Sequence, residues 1–425
     1  MDTPILQGLD YGVIGLYIVA LISLGIWIGY SKRESQDLFL GGRSFGWFGV
    51  GASIFATNIV PGFLTVTTMS GYKYGLVGAN MEWLAWIFLL LLCMVFIPHY
   101  LTIKIPTMPQ FLKRRYGPGA YNFMSFYAIF GIVFMWTAGN LYIGGLFLSQ
   151  ITNWPLWTCS AILAIIAVTI TMAGGLASVI ITDTFQTIIM IIGSTIVTII
   201  VFNHVGGIKE LVDNTPEHYW KLFRSGEGVN YPWYSIVFGY PVMAIWFWCT
   251  DQTIVQRVLG AKSIREGQLG TVFTGFLKIL PPMIWLLPGI MCYVLHPNLA
   301  DPDKAFVTIL QHHVPVGLTG LMIAIFMAML ISTLDSALNS FSTIFTLDIY
   351  ARFIKPDATE KQQRNIGRIM IFLAAFFAFL GAIFFESLKE NLFDLCNMLN
   401  TWTAPALAAT FLMGVLWKKS NGRAA

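Results

Sequence analysis

The chain has 425 residues, of which 56% are hydrophobic, 15% aromatic and only 11% charged. Soluble domains carry about 25% charged residues, so this composition excludes a soluble enzyme, a disordered chain and a nucleic-acid binder. The net charge of +4, from 25 basic and 21 acidic residues, is too small to indicate a polyanionic partner, and the placement of the charges says more than their sum.

A bilayer crossing needs roughly 20 mostly apolar residues. In chain order such segments fall at about 10–30, 45–72, 78–103, 120–149, 154–173, 177–203, 232–254, 266–296, 314–350, 365–386 and 391–417. Eleven spans predict an all-α integral membrane protein, and the longer segments predict tilt or kinks. The first does not read as a signal peptide, because its leader carries Asp2 and Asp10 where a basic region belongs. Of the 25 basic residues, 18 fall in loops on one side, from Lys32 and Arg33 through Arg257 and Lys262 to Lys419; six fall on the other, and Lys278 lies inside a span. By the positive-inside rule the N-terminus is expected outside and the C-terminus in the cytoplasm, in a multi-pass protein of the plasma (cytoplasmic) membrane.

The polar stretch 204–231 divides the spans after the first into two sets of five. Five is odd, so the second set enters the membrane the other way up, as in an inverted repeat. The expected organisation is an extra helix and inner loop (1–44), a first repeat (45–203), an outer linker (204–231), a second repeat (232–419) and a tail (420–425). Repeats of this kind bind solute where the first helix of each half is broken. Ala56-Thr57-Asn58-Ile59-Val60-Pro61-Gly62 in one half and Gly239-Tyr240-Pro241, followed by Trp246-Phe247-Trp248, in the other are the expected breaks.

An ionisable residue at membrane depth is a functional candidate by default. Six are expected there: Glu82, Asp183, Asp251, Lys278, Asp335 and Asp394. Asp251 is expected near the inner end of its span, close to Arg257, and Asp394 near the outer surface. Glu82 and Lys278 have opposite charges and are expected to face one cavity. In Met329-Leu330-Ile331-Ser332-Thr333-Leu334-Asp335-Ser336, residues 329, 332, 333 and 336 share a helical face. Two hydroxyls aimed at a broken helix with free carbonyls make an oxygen cage suited to a small hard cation. The same hydroxyls can equally bond back to their own helix. The five cysteines have no metal-ligand spacing, and His312-His313 reads as a solvated pair. GxSxG, HExxH, P-loop and CxxC motifs are absent, which favours transport over catalysis.

Together these features resemble the sodium:solute symporter family, the group that contains the sodium/glucose cotransporters. The resemblance is carried by Gly41-Gly42-Arg43-Ser44, Gly51-Ala52-Ser53, Asn58-Ile59, Glu82-Trp83, Gly174-Gly175-Leu176 with Thr182-Asp183 and Gln186, and Asp251-Gln252 with Gln256-Arg257 and Ala261-Lys262. Ser332-Thr333, Asn339-Ser340, Asp348-Ile349-Tyr350 and Trp417-Lys418-Lys419 continue it in order over nearly the full length. It implies a LeuT-like 5+5 inverted-repeat bundle with one extra N-terminal helix. It further implies a sodium site on the carbonyls of Ala56, Ile59 and Met329 and the hydroxyls of Ser332 and Thr333. Asp183 would tune that site or serve a second ion, and contact of Asp335 with the ion is open. The sugar-contacting positions fall on Asn58, Glu82, Lys278 and Asn397, with Trp248 as a pocket aromatic and Phe247 where relatives have a gating tyrosine. Phe63 stands in place of a glutamine and Ala244 in place of an asparagine, and each loses contacts that read a hydroxyl. The resemblance thus implies alternating-access import of sodium with a small polar solute, a sugar or polyol. A sodium symporter of an organic anion or amino acid, a sensor that does not concentrate its solute, and proton coupling through Asp183 or Asp335 stay as alternatives.

Overall fold

The computed structural model describes residues 6–31, 38–226, 230–387 and 391–422, with 61, 391–397, 399 and 400 described by backbone alone. Helices dominate: α1 (Gly8–Ser31), α2 (Trp47–Asn58), α3 (Pro61–Tyr74), α4 (residues 80–102), α5 (Met108–Tyr116), α6 (Pro118–Thr152), α7 (Leu156–Gly174) and α8 (Leu176–Val205). After the linker come α9 (Ser235–Thr250), α10 (Gln252–Leu259), α11 (Ile264–Leu295), α12 (Ala305–His313), α13 (Leu318–Ile354), α14 (Glu360–Ser387) and α15 (Asn391–Leu416). All eleven expected spans coincide with helix. Eight helical runs among the described residues are each long and apolar enough to cross a membrane, α3 and α4 forming one run, while α9 and residues 401–416 are shorter apolar helices. The chain is a multi-pass membrane protein whose described helices pack as a bundle.

The centre of the bundle is α13. Its most apolar window is 94% buried, against 22% for α1, so α13 is the core helix and α1 a peripheral one. The close approach of α3 to α11 rests on two glycines. A Cβ on Gly71 would come within 2.1 Å of the Leu286 carbonyl, and one on Gly289 within 1.9 Å of the Thr68 carbonyl. Small residues allow such backbone contact where lipid supplies no hydrophobic drive between helices. At the linker end Asp10 of α1 is buried, and its carboxylate accepts from the backbone N–H groups of Gly317 and Gly320, both at 2.7 Å. It thereby satisfies the orphan donors that open α13.

The first break is where expected. The α2 helix ends at Asn58, Val60 is extended (φ −77°, ψ 159°), and Pro61 opens α3. Proline disfavours a helical conformation in the residue before it and is tolerated at the first turn. The second break is displaced from the expected position. The chain stays helical through Gly239-Tyr240-Pro241, following a π-helical turn at Ser235–Gly239, and it breaks instead at Asp251 (φ −69°, ψ 131°). A π-helical turn can accommodate a proline that would otherwise interrupt the hydrogen-bond ladder.

Candidate functional site

At the first break the last residue of α2, Asn58, meets α4 and α11. Lys278 is fully buried; its Nζ lies 2.5 Å from Glu82 Oε2 and also donates to Asn58 Oδ1. The ammonium lies 5.2 Å from the centre of the Trp248 ring, 5.7 Å from that of Phe55 and 5.9 Å from that of Phe63. A buried ion pair is tolerated only when further hydrogen bonds and ring faces compensate for lost water, and this one has both. Ala244 is buried one turn from Trp248 on α9, and Phe247 sits edge-on to Trp248 at 5.0 Å, with Trp136 at 6.4 Å. The expected pairing of Glu82 with Lys278 is therefore present, and it gathers Asn58, Phe63 and Trp248 around it.

A cavity of about 340 Å³ opens from this cluster toward the linker end, lined by Phe63, Val66, Ser70, Met81, Glu82 and Tyr231. Small-molecule pockets have this scale and this mixture of apolar walls with few polar groups. The Ser70 hydroxyl is buried and meets no partner. Toward the opposite end the space is about 50 Å³, bounded by Tyr127, Trp136, Phe247 and Asp251. A groove of about 550 Å³ between α4 and α11 is walled by the exposed Trp86 and Phe276 and is almost wholly apolar apart from Lys278, so it belongs to the lipid-facing flank.

Beside the break, α13 presents its hydroxyl face. Ser332 Oγ donates to Asp183 Oδ1 at 2.6 Å, and Ser53 Oγ donates to Asp183 Oδ2 at 2.5 Å. Thr333 Oγ1 donates to the Met329 carbonyl at 2.9 Å, so the back-bonding alternative holds for Thr333 and not for Ser332. Both hydroxyls have spent their hydrogens, and their remaining lone pairs accept only a donor or a cation. The Ala56 carbonyl accepts from Ile59 N–H at 3.2 Å, and Thr57 lies 3.0 Å from Ser336, which brings the end of α2 against α13.

Three members of this network were not assigned to the site from the sequence, Ser53, Thr57 and Arg257, and Ser336 was placed there only on the shared face of its helix. Arg257 counted there among the loop charges of the basic side, whereas it is fully buried. Its guanidinium lies 3.8 Å from Asp183, with hydrogen bonds to Ser53, Ser336 and the Thr253 carbonyl. Asp251 instead caps α10, accepting from Thr253 N–H at 2.8 Å. The signal that could have found Arg257 is its place among Gln252, Thr253 and Gln256 on a short helix whose every residue is buried. Neither oxygen of Asp335 and neither side-chain polar atom of Asn339 meets a hydrogen-bond partner. The side chains of Asp394 and Asn397 lie outside the described residues.

The family model of the sodium:solute symporter family matches residues 38–425. Among curated proteins, the chain is 34% identical to human sodium/glucose cotransporter 4, over 97% of this chain and 66% of the relative. It is 33% identical to sodium/myo-inositol cotransporter 2 of Bos taurus, over 99% of this chain and 68% of the relative. The chain thus spans about two thirds of their length. Among solved structures, a substrate-bound, outward-open Na+-coupled sialic acid symporter superposes with a TM-score of 0.87 at 22% identity, covering 98% of this chain and 89% of that one.

Proposed function

Because the chain belongs to the sodium:solute symporter family, a family of transporters and not of enzymes, we propose that it imports an uncharged polar solute, a sugar or polyol, together with sodium by alternating access. The observation that carries this reading is the buried Glu82–Lys278–Asn58 cluster at the helix break, walled by Trp248, Phe55 and Phe63. Its charges cancel, which suits a neutral solute that bonds to both groups through hydroxyls. The relatives that carry glucose and myo-inositol support the same class. Phe63 and Ala244 make one wall apolar, which favours a solute with fewer hydroxyl contacts on that side than glucose offers.

Sodium would bind between the end of α2 and α13, on the carbonyls of Ala56, Ile59 and Met329 and the oxygens of Ser332 and Thr333. The support is chemical: a hydroxyl whose hydrogen goes to Asp183 or to the Met329 carbonyl turns its lone pairs away from that bond. Asp183 would hold Ser332 in that orientation, and the unpartnered carboxylate of Asp335 would be the place for a second positive charge. The repeats would run over 45–203 and 232–419, with the linker end outside. One sodium ion crossing about 100 mV contributes roughly 2.3 kcal/mol, and a tenfold gradient about 1.4 kcal/mol more. Together these sustain on the order of 500-fold accumulation of a neutral solute.

The test is tracer uptake into proteoliposomes under an inward sodium gradient against a potassium control, across hexoses, inositol, sialic acid and amino acids. Sodium-dependent accumulation of a neutral polyol supports the reading. Accumulation of an amino acid or organic anion alone would retain the sodium site and refute the pocket assignment.

A further inference from the structure

Four histidines, far apart in the chain, come together at the linker end. His204 lies in the last turn of α8, His296 caps the end of α11, and His312 and His313 close α12. His296 Nε2 and His313 Nε2 are 2.9 Å apart. The His204 ring centre is 5.2 Å from that of His313, and the His312 ring centre is 5.3 Å from that of His296. His204 and His312 are exposed and the other two half-buried, so solvent reaches the group. Sequence spacing had suggested only the solvated His312-His313 pair.

Three physical features converge here. All three helices end at this spot, and the negative ends of their dipoles favour a cation. His204 Nδ1 is 2.9 Å from the Ile200 carbonyl. A carbonyl only accepts, so Nδ1 carries the hydrogen and Nε2 of the neutral ring presents its lone pair. That is the tautomer and the backbone support that metal-ligating histidines use. The nearest nitrogens, on His296 and His313, are also almost at chelating distance: two imidazoles on one tetrahedral zinc, each at about 2.0–2.1 Å, stand about 3.3 Å apart. Among the described residues no three side chains are yet placed to hold a metal, so binding requires the rings to turn and the Nε2 atoms of His296 and His313, which share a hydrogen bond, to give up the hydrogen between them.

We propose that His204, His296 and His313 form a binding site for a divalent transition metal of the zinc class, and that the bound metal restrains transport. The site would clasp α8, α11 and α12. The His296 carbonyl is held at 2.8 Å by the Tyr72 hydroxyl of α3, the second half of the broken helix, and α12 leads within a few residues into α13. A metal there ties together elements that line the solute and sodium sites. The restraint rests on the alternating-access reading, whereas the binding itself does not.

The experiment uses the full-length protein freed of any histidine tag. Cobalt(II) is titrated and read by its visible absorption, zinc is titrated in competition, and sodium-driven uptake is measured with zinc or with a chelator. Wild type should develop the intense bands of nitrogen-ligated tetrahedral cobalt, displaced by zinc. His296→Ala and His313→Gln should each weaken cobalt binding by at least about tenfold. Zinc should slow uptake severalfold in wild type, reversibly with chelator, and leave His313→Gln unaffected; His312→Ala, with an unchanged melting temperature, serves as the folded control. No cobalt bands in wild type at about 1 mM metal, or equal binding in a His296→Ala/His313→Ala variant that melts like wild type, overturns the site. Metal binding with zinc-indifferent uptake overturns the restraint. Failure of the symport reading is separate: no sodium-dependent uptake even with chelator present.

Discussion

At the residue scale, the buried Lys278 is the costliest group in the pocket. Lys278→Met should leave the Glu82 carboxylate without its counter-charge and lower stability by about 3–5 kcal/mol, read as a fall in melting temperature in detergent. Glu82→Gln/Lys278→Met should recover much of that loss and still fail to transport, and a double variant no more stable than the single one would argue against a coupled pair. At the sodium position, Ser332→Ala/Thr333→Ala should abolish sodium-dependent uptake in a protein that still folds. Wild-type sodium dependence in that variant would sink the assignment. The opposite charges of Glu82 and Lys278, and the adjacent hydroxyls of Ser332 and Thr333, were legible in the chain because membrane burial makes any such residue conspicuous. The hydrogen-bond direction of each hydroxyl was not, because it depends on whether Asp183 or a helix carbonyl lies within reach.

At the element scale, the break between α2 and α3 follows from local chemistry: Pro61 forces Val60 out of helix whatever surrounds it. The interruption in the second half does not obey so simple a rule. Pro241 is accommodated beside a π-helical turn, and the chain turns at Asp251, whose side chain caps the next helix. Packing of α3 on α11 depends on Gly71 and Gly289, so Gly289→Ala should force backbone against backbone and lower the yield of folded protein far more than an alanine at the exposed Gly239; equal yields would count against the close contact. The Asp10 carboxylate belongs to this scale too. Asp10→Ala should uncap α13 and cost about 1–3 kcal/mol, the range for a lost charged hydrogen-bond partner, as measured by thermal melting.

At the scale of the whole molecule, ligand linkage offers a check that needs no transport assay. An ion that binds only the folded bundle stabilises it by about 2.7 kcal/mol at 100 times its dissociation constant. Sodium should therefore raise the melting temperature over potassium in the intact protein, and this difference should vanish in the Ser332→Ala/Thr333→Ala variant. An equal sodium effect in both proteins would place the ion elsewhere.

The all-helical membrane setting and the break at Pro61 were determined by the sequence alone, because apolar spans and a proline's effect on the residue before it act locally and need no neighbours to be recognised. Tertiary structure alone decided that Arg257 is buried against Asp183 instead of lying in a basic loop, and that four histidines from three helix ends meet. Those outcomes depend on which helices pack together. Partners such as Asp183 and Arg257, or His204 and His313, are separated by many tens of residues, and no periodicity along the chain records that kind of proximity.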